Sequence, residues 1–231
     1  MARRVVGVLG GMGPEATILL QQRLLAAVAA RDDADHLPLL IDMNPQVPSR
    51  IAHLIGGTGT DPTPVLVEMA RRLEAAGATA LAMPCNTAHH YAVAIQDAVS
   101  IQLLNMVELT VSEVARTVPP GTGLGILASP AVRLARVFDA ALDRAGLSAV
   151  WPQDADAMLA AIREIKAHGP TDAARQALAA AARDVAERGA GVVVVACSEF
   201  SLIRDAVPGA IRSLDTVDVL VAAIRDHILH G

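Results

Sequence analysis

The sequence predicts an α/β protein built from two similar halves, each with a parallel β-sheet. Short runs of β-branched and other apolar residues alternate with Ala-, Leu- and Arg-rich stretches at helical spacing, which is typical of β-α-β units. There is also an internal repeat: Gly77 precedes Cys85 by eight residues, after a helix-like stretch and before an apolar run. Gly189 precedes Cys197 by the same interval, with the same order of elements. We therefore expect two lobes of matching topology.

The individual elements follow from local sequence signals. Apolar runs bounded by glycine, proline or polar residues predict five strands, namely Arg4–Leu9, Leu37–Met43, Ala78–Met83, Gly123–Leu127 and Gly191–Ala196. In "DPTPVLVEMARRLEAAGA" we predict a helix with Thr63 as its cap, Pro64 in the first helical position and Gly77 as the stop. A second helix is predicted to begin after a Thr171 cap and to end at Gly189.

The two lobes are predicted to meet at a short crossover, because no low-complexity linker separates them. We place this crossover around Ile101–Met106. One lobe comprises residues 1–103 with residues 210–231 and carries Cys85. The other comprises residues 104–209 and carries Cys197. The final stretch "TVDVLVAAIRDHILH" is assigned to the first lobe as an amphipathic helix that returns to pack on it.

Composition limits the classes of function. The chain has 231 residues, 53% of them hydrophobic, a formal net charge of -5 and a pI near 5.8, with one Trp, one Tyr and two Phe. It therefore lacks both the basic surface and the stacking aromatics that nucleic-acid binding needs. No segment approaches the roughly 20 apolar residues of a membrane span, so we expect a soluble, cytoplasmic protein. Two cysteines in a chain of this size do not form a disulfide framework.

Each cysteine follows a predicted parallel strand, at the sheet edge where open α/β sheets form their ligand crevices. A single free cysteine is more often a small packing residue. Here both occupy matched positions, and small polar residues follow each of them, Asn86–Thr87 and Ser198–Glu199. Because inert thiols usually have apolar neighbours, we interpret Cys85 and Cys197 as a functional pair that faces one cleft.

Five motifs occur in order along the chain: "GVLGGMGPEAT", "NPQVPSR", "MPCNTAHH", "EIKAHG" and "ACSE". In content, order and spacing they resemble the cofactor-independent amino-acid racemases, specifically the aspartate racemase branch of the aspartate/glutamate racemase superfamily. The resemblance implies two pseudo-symmetric flavodoxin-like domains, each a parallel sheet flanked by helices, with the active site in the interdomain cleft. It also implies a homodimer and catalysis without a cofactor.

The resemblance identifies Cys85 and Cys197 as the catalytic residues. One thiolate would remove the Cα proton and the other thiol would return a proton to the opposite face, with Cys85 acting on the D enantiomer and Cys197 on the L enantiomer. The chemistry is consistent with this, because inversion by proton transfer needs a base and an acid that exchange roles in each turnover. The reference pKa of cysteine, about 8.5, makes both forms accessible near neutrality. The two thiols would titrate as a coupled pair.

The resemblance also implies a set of substrate contacts. Asn86 and Thr87 match positions that hold the α-carboxylate, and Ser198 stands where the family more often has threonine. Arg50 and Lys166 match positions at the distal carboxylate, although either residue alone would more often be a solvated surface cation. Two cations suit a dicarboxylic amino acid, so aspartate is the first expected substrate and glutamate the second.

The glycine-rich turn "GGMGPEAT" does not have the GxGxxG spacing of a dinucleotide site. We expect its glycines to let the backbone approach a small anion, with Met12 as an apolar wall of the pocket. In the second half, "LASPAVR" retains one hydroxyl, that of Ser129, where the family has a threonine-rich turn. Hydrogen bonding to the substrate is expected to be thinner on that side.

Two further residues have alternative roles. His89 either helps to orient groups near Cys85 or is a structural histidine of a helix face. Glu199 either tunes Cys197 or favours a helix N-terminus through its charge. The histidines show no metal-ligand spacing with cysteines or acids, so no metal is expected.

Two other classes of function stay open at this stage. The first is a related enzyme, such as a hydantoin racemase, a maleate isomerase or an arylmalonate decarboxylase; the presence of both thiols argues against the decarboxylase, which is expected to use one. The second is a binding protein that senses an acidic amino acid in the same cleft without turnover.

Overall fold

The computed structural model of the chain describes residues 4–230. Its strands form two four-stranded parallel sheets. The first sheet contains β1 (Val6–Gly10), β2 (Leu39–Met43), β3 (Ala80–Ala82) and β4 (Gln102–Leu104), and the second contains β5 (Gly123–Leu127), β6 (Ser148–Val150), β7 (Ala190–Val195) and β8 (Ser213–Asp215). The order is β2-β1-β3-β4 in the first sheet and β6-β5-β7-β8 in the second. The two orders are equivalent, which confirms the predicted repeat of two α/β lobes with flavodoxin-like strand order.

Helices flank both sheets within the described residues. They are α1 (Pro14–Ala26), α2 (Arg50–Leu54), α3 (Thr63–Ala75), α4 (Ala92–Asp97), α5 (Met106–Ala115), α6 (Pro130–Leu134), α7 (Asp139–Ala145), α8 (Ala155–His168), α9 (Asp172–Glu187), α10 (Ser198–Ser201) and α11 (Thr216–His230), with short 3-10 turns at Asp33–Asp35, Thr87–Tyr91 and Arg204–Ala206. Among residues 4–230, no helix combines the length and the apolar character needed to cross a bilayer.

All five predicted strands are present, and each end lies within two residues of its prediction. Strands β4, β6 and β8 were not predicted. Each has only three residues, too few to display the two-residue alternation that identifies a strand. Strand β4 is one edge of the first sheet, and β6 and β8 are the two edges of the second. β4 occupies the place where a short crossover was expected.

Of the two helix caps predicted from the sequence, one is present and one is not. Thr171 caps α9 as predicted, because its hydroxyl accepts a hydrogen bond from the Ala174 backbone N–H at 3.3 Å. The Thr63 cap was wrong: α3 begins at Thr63 itself. The carboxylate of Asp61 accepts hydrogen bonds from the Thr63 backbone N–H at 2.8 Å and from its hydroxyl at 2.6 Å. Asp61 thus supplies the acceptor that Thr63 was expected to provide.

Both sheets are buried on their two faces, as expected for parallel sheets. In β1, Val6 and Val8 point to one face and pack with Leu220 and Ile224 of α11. Leu9 points to the other face, into the cluster beneath α3. Because the faces are covered, the carboxyl ends of the strands are the free edge at which a ligand crevice can form.

The chain returns to the first lobe later than predicted. Residues 210–231 were assigned to that lobe, but Ser213–Asp215 pairs with β7 and completes the second sheet. Only the helix that follows, α11, packs on the first sheet, where it contacts α1, β3 and β4, while it also contacts α5 and β8. Residues 1–3 and Gly231 of the predicted lobe lie outside the described residues.

Candidate active site

A cavity of about 550 Å³ lies between the two lobes, at the carboxyl ends of their central strands. Of the residues predicted for the site, it is lined by Met12, Arg50, Cys85, Thr87, Ser129, Lys166, Cys197 and Glu199. The turns after β1 and β3 contribute from the first lobe, and the turns after β5 and β7 contribute from the second. These are the positions where the strand order reverses in each sheet, and such switch points are the usual ligand sites of open α/β sheets.

The two thiols lie on this one cavity. Cys85 and Cys197 are each 7% exposed, and both line the cavity wall. They leave topologically equivalent strands, β3 and β7, so the internal repeat presents them from opposite lobes. The ammonium group of Lys166 interacts electrostatically with both sulfurs. A small molecule in the cavity would therefore meet a thiol from each lobe.

Cys197 belongs to a polar chain of three residues. Its S–H donates to the Glu199 carboxylate, with 3.0 Å between Sγ and Oε2. The other carboxylate oxygen of Glu199 pairs with Lys166. Burial, followed by the charge and the hydrogen bond of Glu199, raises the pKa of Cys197 well above its usual range, although the Glu199 backbone N–H and Lys166 act in the opposite direction. Cys197 is therefore held as the protonated thiol.

Lys166 is fixed by the same carboxylate. Burial lowers the pKa of Lys166, but the charge and hydrogen bond of Glu199 outweigh burial, and the net pKa is raised. Lys166 is thus protonated at physiological pH, although the nearby Glu199 carboxylate partly compensates its positive charge. A Cβ atom built on Gly13 would lie 3.5 Å from Lys166 Nζ and 3.8 Å from Glu199 Oε1. The glycine turn of the first lobe therefore closes directly over this ion pair of the second.

The glycine turn itself depends on residues without side chains. Gly11 has φ +89°, and a Cβ there would lie 2.4 Å from the carbonyl carbon of Asn44. The hydroxyl of Thr17 accepts a hydrogen bond from the Gly11 backbone N–H at 3.0 Å, which fixes the turn against α1. The close backbone approach expected from the sequence is therefore present, and Met12 lies on the cavity wall.

Arg50 lines the cavity from α2. One of its terminal nitrogens, Nη1, donates to the carbonyl oxygens of Val47 at 3.1 Å and Pro48 at 3.0 Å. Within residues 4–230 no salt bridge joins Arg50 to an acid, so the rest of its guanidinium is available to a ligand. A third cation, Arg163, was not predicted. It also lines the cavity, one turn before Lys166 on α8, and the i,i+3 spacing of "REIK" is the sequence signal that was missed.

Three predicted residues lie behind the cavity wall instead of lining it. Asn86 and Ser198 are each 2% exposed. The Asn86 amide nitrogen donates to Thr216 Oγ1 at 2.9 Å, and its amide oxygen is buried without a hydrogen-bond partner. His89 is also buried, on the 3-10 turn after Cys85.

His89 supports the backbone of Cys85. Its Nε2 accepts a hydrogen bond from the Met106 backbone N–H at 3.0 Å, so the proton is on Nδ1, which donates to the Cys85 carbonyl oxygen at 2.9 Å. Burial lowers the pKa of His89 to about 4. The ring is therefore neutral at physiological pH and joins the Cys85 turn to the first turn of α5.

This burial predicts a pH dependence of stability. Because the pKa of His89 falls from 6.5 to about 4 on folding, the unfolded chain binds more protons in this interval. The free energy of unfolding should decrease as the pH falls from 6.5 to 4, by about 3 kcal/mol in total from this group. Urea unfolding measured across this range should show that the free energy of unfolding of His89→Gln depends less steeply on pH than that of wild type. The control is His168→Gln, at an exposed position, which should keep the wild-type dependence. Equal slopes in wild type and His89→Gln would contradict the prediction.

Within residues 4–230, no group of three or more His, Cys, Asp or Glu side chains is arranged to hold a metal ion. A mechanism without a metal stays a prediction. The functional groups that the cavity does offer are two thiols, one carboxylate, three cations and the hydroxyls of Ser49, Thr87 and Ser129.

Comparisons with known proteins agree with this architecture. A profile of the family described as Asp/Glu/hydantoin racemase matches residues 9–224. The chain is 25% identical to the broad specificity amino-acid racemase RacX of Bacillus subtilis over 223 residues, 92% of each chain. It superposes on the Picrophilus torridus aspartate racemase with a TM-score of 0.86 at 24% identity, covering 97% of this chain and 94% of that one. The glutamate racemase isoform RacE1 of Bacillus anthracis gives a TM-score of 0.68 at 15% identity, with 98% and 82% covered.

The structural likenesses extend over both lobes and show the shared two-domain fold. The profile match covers most of the chain, from the end of β1 to α11. It includes the glycine turn, both cysteine turns and the cations of α8. By this match, the chain belongs to the Asp/Glu/hydantoin racemase family.

Proposed function

We propose that this protein racemises amino acids by proton transfer between Cys85, the Cα atom of the substrate and Cys197. The observation that carries the proposal is the presence of both thiols on one interlobe cavity, each at the end of an equivalent strand. A proton can be removed from one face of a stereocentre and returned to the other only if a base and an acid flank it. Membership of the racemase family supports the same reaction class.

The environments of the thiols suggest their resting roles. Cys197 is held as a thiol by burial and by Glu199, so it is the acid at the start of a turnover. Cys85, as thiolate, is then the base that removes the proton from Cα. In the reverse direction Cys197 must lose its proton, and the Glu199 backbone N–H and Lys166 are the groups that favour the thiolate. Following the family resemblance, the resting form acts on the D enantiomer.

We propose aspartate as the leading substrate. Three cations, Arg50, Arg163 and Lys166, line the cavity against one acid, Glu199, and this excess of positive charge suits a ligand with two carboxylates. Broad amino-acid specificity is the second candidate. It is favoured by the likeness to the RacX enzyme and by the pairing of Lys166 with Glu199, which leaves less charge for a distal carboxylate.

The test is deuterium exchange with a panel of single enantiomers in deuterated water. A racemase should lose optical activity and incorporate deuterium at Cα, with aspartate fastest among the amino acids. Comparable rates for neutral amino acids would favour the broad-specificity candidate. Saturable binding of aspartate without exchange would instead identify a binding protein and overturn the proposal.

Arg50→Ala tests the substrate class. Loss of a charge-assisted contact to the distal carboxylate should lower kcat/KM for aspartate by about 30- to 100-fold more than for alanine. The ratio of the two losses is the readout, because Arg50 also supports the loop at Val47 and Pro48 and its removal affects every substrate. Arg50→Lys should be intermediate, since it keeps the charge without the fork.

The matched control is Arg71→Ala, which removes an exposed arginine of α3 whose hydrogen bond, among the described residues, is to the Ala98 carbonyl. It should leave the aspartate-to-alanine ratio unchanged. Equal losses for aspartate and alanine in Arg50→Ala would remove Arg50 from the recognition of the distal carboxylate.

A further inference from the structure

We propose that two adjacent residues, Asp215 and Thr216, form a positioning element that sets the relative placement of the two cysteine turns. We call this dipeptide, at the junction of β8 and α11, the Asp215–Thr216 corner. It lies outside the cavity lining. The inference rests on the proposed two-thiol function, because only a reaction that uses both thiols depends on their mutual placement.

Thr216 forms the first connection. It is fully buried, and its hydroxyl accepts a hydrogen bond from the Asn86 amide at 2.9 Å. The same hydroxyl donates to the Val195 carbonyl oxygen at 3.2 Å. Asn86 directly follows Cys85, and Val195 lies two residues before Cys197. One hydroxyl therefore joins the two cysteine segments, which belong to different sheets.

Asp215 forms the second connection. It is 3% exposed, and one carboxylate oxygen accepts from the Ser201 hydroxyl at 2.8 Å. The other oxygen accepts from Arg23 of α1 at 2.9 Å, and Arg23 also donates to the Ser201 carbonyl at 2.7 Å. Ser201 closes the short helix that starts after Cys197, and its backbone N–H donates to the Cys197 carbonyl at 3.0 Å. This connection ties α1, the helix that follows the glycine turn, to the Cys197 turn.

The two connections act at one rigid point. Threonine is β-branched, so its side chain has few accessible rotamers, and the Asp215 carboxylate is held by a third donor, the Val217 backbone N–H at 2.9 Å. Buried hydrogen bonds of this kind are costly to leave unmade. Because both cysteine turns are bonded to neighbouring residues of one corner, a movement of either turn relative to the other breaks at least one of these bonds.

Thr216→Val tests the corner, because it keeps the shape of the side chain and removes only the hydroxyl. A base that is misplaced by about 1 Å can lose up to roughly 10²-fold in rate. In deuterated water, the thiol that removes the proton can still return deuterium to the same face, whereas inversion needs the opposite thiol in place. The ratio of inverted to retained deuterated amino acid should therefore fall by roughly 10- to 100-fold. This ratio does not depend on how much of the protein is folded.

Two variants serve as controls. Thr216→Ser keeps the hydroxyl and should restore the wild-type ratio. Thr110→Val removes a buried hydroxyl whose hydrogen bond, within residues 4–230, is to the Met106 carbonyl of its own helix, at 2.7 Å, and it should leave the ratio unchanged. A wild-type ratio in Thr216→Val, or an equal fall in Thr110→Val, would overturn the role of the corner.

Backbone amide exchange separates failure of the corner from failure of the proposed function. Mass spectrometry should show faster amide exchange in the peptides that contain Cys85 and Cys197 in Thr216→Val, and wild-type rates in Thr216→Ser. This readout needs no turnover. If wild-type protein racemises no amino acid, the proposed function fails while the corner is still tested by these rates. Unchanged rates in both peptides would overturn the corner.

Discussion

Replacement of either cysteine by serine is expected to lower racemisation by about 10³- to 10⁴-fold, the upper part of the range for loss of a general acid or base. A serine hydroxyl is far less acidic than a thiol, so it provides neither a thiolate base nor a proton donor of matched acidity near neutral pH. Both Cys85→Ser and Cys197→Ser should show the loss, because each turnover uses both groups. The measurement is polarimetry with L- and D-aspartate under identical conditions.

Deuterium exchange distinguishes the two variants from a general loss of structure. Cys197→Ser retains the thiol assigned to the D enantiomer and should still exchange the Cα proton of D-aspartate without inverting it. Cys85→Ser should show the opposite preference. The double variant, Cys85→Ser with Cys197→Ser, gives the baseline. Racemisation at the wild-type rate in either single variant would refute the two-thiol mechanism.

The two-lobed fold could be predicted from the sequence because the signals for its central strands are local and occur in both halves. The glycine stops at Gly77 and Gly189, both with positive φ, and the apolar runs that follow them placed β3 and β7 in both lobes. The same regularity placed a cysteine at the end of each of these strands. The three-residue outer strands were missed because their positions are set by pairing with a neighbouring strand, which leaves little trace in so short a segment.

The parts of the candidate site that sequence reasoning missed depend on contacts between distant residues. Glu199 was considered as a tuning residue for Cys197, but its pairing with Lys166, 33 positions away, has no local signal. Asn86 was predicted to contact the substrate α-carboxylate, which stays a prediction, but the bond of its amide nitrogen to Thr216, 130 positions away, has no local signal either. A polar residue in a turn indicates that it needs a partner, but only the fold decides which partner it meets.

These long-range contacts make the surroundings of the two cysteines different, although the internal repeat alone would make them equivalent. The strands and thiols of the two lobes correspond, yet Cys197 has a carboxylate partner at 3.0 Å, whereas the Cys85 turn is supported by a neutral histidine. A two-base mechanism needs one thiol and one thiolate at rest. In the proposed mechanism the unequal surroundings supply this difference, and we expect Glu199, together with burial, to keep Cys197 as the acid at rest.

Glu199→Gln is therefore expected to have the second largest effect, a loss of up to about 10²-fold in kcat/KM at alkaline pH, between the lowered pKa of Cys197 and its wild-type pKa. The change removes the negative charge and leaves Lys166 without its partner, and both effects lower the pKa of Cys197. Burial, the largest contribution to the raised pKa, is unchanged, so the pKa should stay above the usual range of cysteine. The loss must be equal for L- and D-aspartate, because enantiomers have equal free energies and the two values of kcat/KM are tied by the equilibrium.

The pH dependence of activity shows in which direction Glu199→Gln shifts the pKa of Cys197. An acid must be protonated to act, so activity that depends on the Cys197 thiol falls as the pH rises through its pKa, and a lower pKa moves this fall to lower pH. Titration of thiolate absorbance in the Cys85→Ser background assigns the pKa to Cys197 alone, with and without Glu199→Gln. Glu164→Gln, on the exposed face of α8, is the control and should leave both measurements unchanged. If the pKa of Cys197 does not fall in Glu199→Gln, then burial alone keeps this thiol protonated, and Glu199 has no part in setting which cysteine is the acid.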